Sequence, residues 1–286
     1  LHSFPPRRFP ISLGFHMLSY VAMLQRDLLK LDALLEQVDL SPLGSGALAG
    51  TSYPIDRLLV ARAMGMQGVA LHAMDAVSDR DYVVDYLHLA TGILLHLSRL
   101  AEELILWSNS QFGFVSLSDK WTSGSSMMPN KKNPDACELI RGKAGTAIGR
   151  LSGFMATIKG LPLAYNKDLQ EDKGTILKAS EDLSLSLLAM RELLATATFH
   201  TGAMKSALGE GFVNATDAAD WLVAKGLPFR DAHRLSGELV KAAMTKRCGI
   251  EALPLEVVTE ILSPVLLELS HKEEGEIGRA SCRERV

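Results

Sequence analysis

The chain has 286 residues, of which 47% are hydrophobic and 22% charged, and its formal net charge is −3. A chain of this length can bury a sizeable core, and its composition excludes both a disordered protein and a nucleic-acid-binding protein built on a basic face. The longest apolar run, residues 91–107, is interrupted by charged side chains, so we expect no membrane span.

Three cysteines, Cys137, Cys248 and Cys282, lie far apart and lack the spacing of metal ligands. This pattern predicts free thiols in a reducing compartment and no metal site. We therefore expect a cytoplasmic protein.

Both ends of the chain differ in character from the rest. Residues 276–286 contain three arginines without a helical period, and residues 1–10 are similarly unrelated to the segment next to them. Both stretches resemble translated sequencing-adapter DNA. We expect residues 1–10 to be a non-native leader and residues 276–286 to be a non-native tail.

Long amphipathic helices dominate the predicted structure between these ends. Residues 11–37 carry apolar side chains at helical spacing, and two later stretches have the four-three spacing of a bundle seam. The first seam is Val83, Leu87, Ala90, Leu94, Leu97, Ala101 and Leu104, and the second is Leu183, Leu187, Met190, Leu194 and Ala197. Sustained period-two alternation is missing from the sequence. The chain is therefore predicted to be all-α, with a long-helix bundle over residues 11–208.

The helix predicted over residues 134–159 has an unusual glycine content. Gly142, Gly145, Gly149 and Gly153 recur at three- and four-residue spacing, which places them on one face. Each costs about 1 kcal/mol relative to alanine in a helix interior. The pattern favours close packing of another backbone, from the same chain or from another subunit. A loosely formed helix is the alternative.

The sequence after Gly202 predicts shorter helices. Residues 213–244 read as two helices joined at KGLP, where Gly226 is a typical C-terminal stop. We place a small C-terminal helical subdomain at residues 209–275.

The stretch SGSSMMPNKKNPD, residues 123–135, is a polar loop between apolar helices. It offers hydroxyl groups, two lysines and Asn133, with Gly124 as a hinge. Pro134 then opens a helix whose N-terminal N–H groups favour anions. These residues suit a mobile lid over a carboxylate-bearing ligand. A solvated surface loop is the alternative.

This loop resembles the signature loop of the fumarase/aspartase superfamily, which several lyases share. Four further stretches, in the right order, resemble the argininosuccinate lyase family. They are GSGALAGTSYPIDR, DAVSDRDY, GLPLAYNKDLQEDK and ATDAADWLVAKGLPFRDAH. The resemblance extends over residues 11–262 and implies the long-helix bundle of that superfamily.

The reaction that this resemblance implies is a β-elimination, in which argininosuccinate splits into arginine and fumarate without a metal or an organic cofactor. A base removes a proton from the carbon beside a carboxylate, and the bond from carbon to the guanidinium nitrogen then breaks. Because the carbanion is unstable, preorganised donors must hold the developing charge on the carboxylate. Such an enzyme belongs to arginine biosynthesis and the urea cycle.

The resemblance also assigns roles to individual residues. It makes Ser125 the catalytic base, with Lys131 and nearby backbone N–H groups stabilising its alkoxide. Lys131 and Asn133 match the positions that hold the fumaryl carboxylates, and Glu138 matches the carboxylate that orients a catalytic histidine. Three later positions match substrate contacts: Tyr165, Gln170 and Lys173.

Other polar residues have less specific interpretations. Arg80 either contacts substrate or forms a helix-end salt bridge within SDRD. We expect Lys132 to be solvated. His16, His88 and His96 fall in apolar helices and are predicted to be packing histidines.

The family assembles each active site from three subunits of a homotetramer, so the resemblance implies a homotetramer. The family's Thr-His-Leu-Gln motif falls on Ser3, Phe4, Pro5 and Pro6 of this chain, and a further upstream segment is missing. We therefore expect the chain alone to be inactive and the complete gene product to be active.

Two other functions share parts of this pattern. Lens crystallins of birds and reptiles resemble the family and include inactive proteins with a structural role. Adenylosuccinate lyase carries the same type of loop, and a strong thermal shift with a purine nucleotide would indicate it.

Overall fold

The computed structural model of the chain describes residues 12–208 and 211–263. Its helices are α1 (Leu13–Val38), α2 (Arg57–Ala63), α3 (Ala73–Ser78), α4 (Asp81–Ser108), α5 (Asp135–Ile158), α6 (Glu171–Thr196), α7 (Thr201–Leu208), α8 (Ala215–Ala224) and α9 (Phe229–Lys246). Residues 255–263 are also helical. Short 3-10 turns lie at Asp119–Trp121, Lys167–Gln170 and Ile250–Ala252. The prediction of an all-α chain is confirmed.

Two-residue strands tie the connecting loops together in pairs. They are β1 (Leu40–Ser41), β2 (Gly68–Val69), β3 (Val115–Ser116), β4 (Ser123–Gly124), β5 (Lys132–Asn133) and β6 (Thr198–Phe199). β1 pairs with β2 in parallel, while β3 with β6 and β4 with β5 are antiparallel. These pairs fix the loops at the ends of the long helices rather than forming a layer of sheet.

Two compact units divide the chain. The larger unit is Ser12–His200, and the smaller one begins at Thr201. In the smaller unit α8 packs on α9, around Leu222, Leu235 and other apolar side chains. The predicted subdomain boundary lies between residues 208 and 209. Residues 209–210 are outside the described residues, and so are the predicted leader and tail.

Helix α4 is the centre of the larger unit, where it packs on α1, α5 and α6. All seven positions of its predicted seam, from Val83 to Leu104, are buried, so that prediction is confirmed. Val83 and Leu87 meet Phe154 of α5 and Ala179 of α6 in one core cluster.

The seam predicted for α6 is confirmed at Met190, which is buried, but its other positions are half-buried or exposed. Leu187 is 38% exposed, whereas Asp182, Ser186 and Leu193 are buried. The heptad reading counted only apolar side chains, but α6 faces α5 with a carboxylate. Asp182 accepts from the Lys143 ammonium at 2.7 Å and lies 2.6 Å from Arg150 Nη1, so it is buried as an ion pair.

The glycine stripe of α5 faces away from the buried side of the helix. The helix is continuous from Asp135 to Ile158. A Cβ added to any of the four glycines, Gly142, Gly145, Gly149 and Gly153, would meet nothing within 4 Å. The close neighbour that the stripe predicts is therefore absent from the described part of this chain.

No helix in the described part of the chain is long and apolar enough to cross a membrane.

Candidate functional site

The predicted lid is a short hairpin. Ser123 pairs with Asn133, and Gly124 with Lys132, so β4 and β5 form a stem from which residues 125–131 project. The tip is exposed, with Met127 at 88%. A narrow stem with an exposed tip is a suitable structure for a segment that closes over a ligand.

Ser125 stands at the base of the tip, and its hydroxyl already has two backbone donors. Met127 N–H and Met128 N–H donate to Ser125 Oγ at 3.2 and 3.1 Å. Two N–H groups aimed at one oxygen favour its negatively charged form, because they stabilise the charge without any rearrangement. This geometry can support a serine alkoxide.

Three other predicted site residues lie close to Ser125 in the sequence. Lys131 is exposed, and its N–H donates to the Met128 carbonyl at 3.0 Å, which closes the tip. Asn133 is half-buried in β5, and Glu138 is exposed in the first turn of α5. The Lys131 and Glu138 side chains are therefore open to a ligand or a partner.

Lys132 is exposed as expected, with its side chain at 46%, but its ammonium also has two partners in the same unit. Its ammonium donates to the Leu117 carbonyl at 2.6 Å and pairs with Asp119 Oδ1 at 2.6 Å. The hydrogen bond from Lys132 lowers the pKa of Asp119. Sequence reasoning missed Asp119, since no local pattern indicates that an acid thirteen residues upstream meets this lysine.

The remaining predicted contacts, Tyr165, Gln170 and Lys173, follow α5. Tyr165 is 45% exposed, and the Lys167 ammonium lies 5.8 Å from the centre of its ring. Gln170 ends a 3-10 turn, and Lys173 is exposed in the first turn of α6. Ala164, directly before Tyr165, has a φ of 70°, a strained conformation of the kind that accumulates at functional sites.

Arg80 forms a helix-end salt bridge, but its partner is Asp172 of α6 rather than an acid of SDRD. Its Nε–H donates to Asp172 Oδ2 at 2.7 Å, and the side chains are only 15% and 9% exposed. The pair joins the start of α4 to the start of α6. Arg80 also borders a cleft of about 580 Å³ with Leu71, His72 and Tyr82.

The structure places the predicted site residues in two groups at opposite ends of the bundle. The lid leads directly into the start of α5. The segment before the lid is held at the same end, because β3 pairs with β6, which directly follows α6. The segment 165–173 adjoins the end of α5, because Ile158 and Leu169 line one cleft with Arg80. With 24 residues in α5, the ends lie about 36 Å apart. The two groups of one chain are therefore too far apart to contact the same small molecule.

A small cavity lies at the lid end. A cleft of about 100 Å³ lies beside Lys132, below the range of about 300–1,000 Å³ that is usual for ligand pockets. Within the described ranges, no group of three His, Cys, Asp or Glu side chains could hold a metal ion. The predicted site residues at this end carry hydroxyl, ammonium, amide and carboxylate groups.

Known proteins resemble the chain in sequence and in fold. The model of a family described as Lyase matches residues 7–149, and that of Argininosuccinate lyase C-terminal matches residues 212–273. An argininosuccinate lyase of Moorella thermoacetica is 50% identical over 247 residues, which cover 86% of this chain and 53% of that protein. One from Synechococcus sp. (strain JA-3-3Ab) is 52% identical over 251 residues, which cover 87% and 51%. The chain spans about half the length of these curated relatives.

Solved structures agree with this placement. An EDDS lyase in complex with formate aligns with a TM-score of 0.79 and 27% identity over 91% of this chain and 52% of that one. A class II fumarase from Schistosoma mansoni aligns with a TM-score of 0.69 over 90% and 55%, and at 17% identity it shows the fold alone. Together with the sequence matches over both units, these likenesses show that the chain belongs to the argininosuccinate lyase family, with the helical-bundle fold of the fumarase-type lyases.

Proposed function

We propose that the complete protein is an argininosuccinate lyase, which splits argininosuccinate into arginine and fumarate in arginine biosynthesis. One observation carries the proposal: Ser125 Oγ accepts two backbone N–H bonds at the base of an exposed lid. A serine held in this way can act as a base, and the relatives at about 50% identity are named for this reaction.

The proposed reaction assigns a step to each lid residue. Ser125 Oγ, as an alkoxide stabilised by the N–H groups of Met127 and Met128, takes the proton from the carbon beside a carboxylate. Lys131 and Asn133 hold the carboxylates, so that negative charge moves onto oxygens with preorganised donors. The electron pair of the broken C–H bond becomes the double bond of fumarate. The guanidinium nitrogen leaves with the C–N electrons and takes up a proton. These steps require no metal or organic cofactor.

The proposed assembly is a homotetramer in the cytoplasm, in which a site takes its lid from one copy and residues 165–173 from another. The separation of about 36 Å along α5 supports this division. The stripe of glycines supports it as well, because it is open and flanked by the exposed apolar side chains Leu139, Ile148 and Met155.

Fumarate release from argininosuccinate by the full-length gene product, followed by ultraviolet absorbance, tests the activity. We expect Ser125→Ala to lower kcat by about 10²–10⁴-fold, the usual contribution of a general base. Ser126→Ala is the matched control, because that hydroxyl is exposed and next in sequence. Full activity in Ser125→Ala, or an inactive wild type, would refute the proposal.

Mixing two inactive variants tests the shared site. Ser125→Ala and Lys173→Met would each remove one group. If the two groups come from different copies, a random equal mixture leaves about one quarter of the sites intact. If both come from the same copy, every site stays defective. We therefore expect activity to return to about a quarter of the wild-type value after the variants are unfolded and refolded together.

A further inference from the structure

The stem of the lid is tied to the rest of the larger unit through Lys132. Its ammonium lies between the Leu117 carbonyl and the Asp119 carboxylate, at 2.6 Å from each oxygen. Both acceptors belong to the segment that runs from β3 toward the lid. The contact is therefore a clamp between β5, the second strand of the hairpin, and the loop that connects β3 to the hairpin.

The segment on the other side of this clamp is itself well anchored. Leu117 is only 4% exposed and Val115 only 3%. β3 pairs with β6, and Val115 lies opposite Phe199. Lys132 thus connects an exposed hairpin to backbone whose position the core determines.

The clamp also determines which way the next residue faces. Successive side chains of a strand point to opposite sides, so Asn133 faces away from the side on which Lys132 is held. With only two residue pairs in the stem, the ladder specifies its register weakly. A slip by one residue would turn Asn133 toward the Lys132 side. The ammonium holds the stem against that slip.

We propose that Lys132 is a positioning residue of the lyase reaction, whose ammonium, clamped between Leu117 and Asp119, holds the lid in the register that presents Ser125 and Asn133 to the substrate. This role rests on the proposed function. It needs no contact between Lys132 and the substrate. It also assigns Asp119 a part that no local motif indicates.

The clamp affects the lid far more than the stability of the whole unit. Residues 126–131 of the tip are exposed, and the Asp119 side chain is 94% exposed. Loss of the clamp should therefore free the hairpin while the helices stay packed. Because a displacement of about 1 Å in a catalytic group can cost roughly 100-fold in rate, a loosened lid should be visible in kcat.

The test compares four variants of the full-length protein: Lys132→Met, Lys132→Arg, Asp119→Asn and the control Lys120→Met, an exposed lysine in the same segment. Steady-state kinetics gives kcat and KM, and hydrogen exchange followed by mass spectrometry reports on residues 123–133. We expect Lys132→Met to lower kcat by roughly 10–100-fold and to accelerate exchange in the stem, with unchanged circular dichroism. Lys132→Arg should recover most of the activity, because it restores a cation that can reach both acceptors. Asp119→Asn should fall between them, since the Leu117 carbonyl remains.

Two results would overturn the role of Lys132 alone. One is a kcat for Lys132→Met within twofold of the control while Ser125→Ala is inactive. The other is unchanged exchange in the stem. An inactive wild type would instead refute the proposed function, and the exchange comparison would still decide whether Lys132 holds the stem. Should Lys132→Met fail to fold, Asp119→Asn provides the same comparison at an exposed side chain.

Discussion

Replacement of Asp182 by asparagine removes the charge at the centre of the contact between α5 and α6. The residue is 2% exposed, and its two oxygens face Lys143 and Arg150 at 2.7 and 2.6 Å. Asparagine has nearly the same shape, so the change leaves no cavity. It leaves the cation of Arg150, whose side chain is 19% exposed, beside a neutral amide.

The expected loss depends on how deeply each partner is buried. Removal of one member of a fully buried ion pair costs about 3–5 kcal/mol. Lys143 is 40% exposed and can regain water, so its share is smaller. We therefore expect the free energy of unfolding to fall by about 2–3 kcal/mol. For a unit of this size, that loss corresponds to a decrease in Tm of about 4–12 °C.

The pKa of Asp182 gives the expected loss a pH dependence. Burial would raise this pKa, but the hydrogen bond from Lys143 and the neighbouring positive charge of Arg150 outweigh burial and lower it. The unfolded chain therefore takes up the proton at a higher pH than the folded chain does. The stabilisation is complete above the usual pKa of 3.8 and disappears as the pH falls through the lowered folded value. The difference between wild type and Asp182→Asn should therefore shrink below about pH 4.

Urea unfolding followed by far-ultraviolet circular dichroism measures the difference, at one chain concentration because assembly would add stability by mass action. Glu181→Gln is the matched control, since Glu181 is the neighbouring acid and pairs with Lys178 on the surface. We expect that control to leave the midpoint unchanged. A loss for Asp182→Asn below about 0.5 kcal/mol, or an equal loss in the control, would contradict the assignment of Asp182 as a structural ion-pair centre.

Two further predictions concern other buried and exposed positions. Burial raises the pKa of the Cys137 thiol to about 11, and the nearby Glu138 adds to that effect. Only the thiolate reacts with a disulfide reagent. In a Cys282→Ser variant at pH 8, the reagent should therefore modify one thiol of the folded chain, that of the partly exposed Cys248. It should modify two thiols when the chain is unfolded in urea. A Gly149→Ala exchange on the open stripe should stabilise α5 by about 0.5–1 kcal/mol in the dissociated chain and yet weaken assembly. Unfolding at low concentration and sedimentation velocity measure the two effects, and a change of the same sign in both would contradict the role given to the stripe.

The sequence predicted a helix seam well where every seam position is apolar. In α4 every seam position is a hydrophobic residue, so periodicity alone identified the core face. In α6 the core face includes Asp182 and Ser186, and whether a carboxylate can be buried depends on cations supplied by another helix. Periodicity within one helix does not contain that information.

The candidate site also contains residues that the sequence could predict and residues that it could not. Ser125, Lys131 and Asn133 could be named from a motif, because the loop sequence itself carries them. The role of Lys132 could not be predicted from a motif. Its partners are the Leu117 backbone carbonyl and the Asp119 carboxylate, and a backbone carbonyl has no sequence signal. The separation of the site into two ends also depends on the path of α5 through the bundle, which no motif reveals.

The glycine stripe and the divided site have one common explanation in the proposed assembly. Four glycines in α5 cost about 1 kcal/mol each relative to alanine, and no described part of this chain fills the space beside them. That cost is offset only where another backbone packs against the stripe. Two α5 helices that cross there in antiparallel orientation would bring the start of one to the end of the other. The lid of one copy would then lie beside residues 165–173 of its partner, which removes the separation of about 36 Å that one chain cannot close. In the proposed assembly, the residues that destabilise the isolated helix would thus be the ones that allow the site to form.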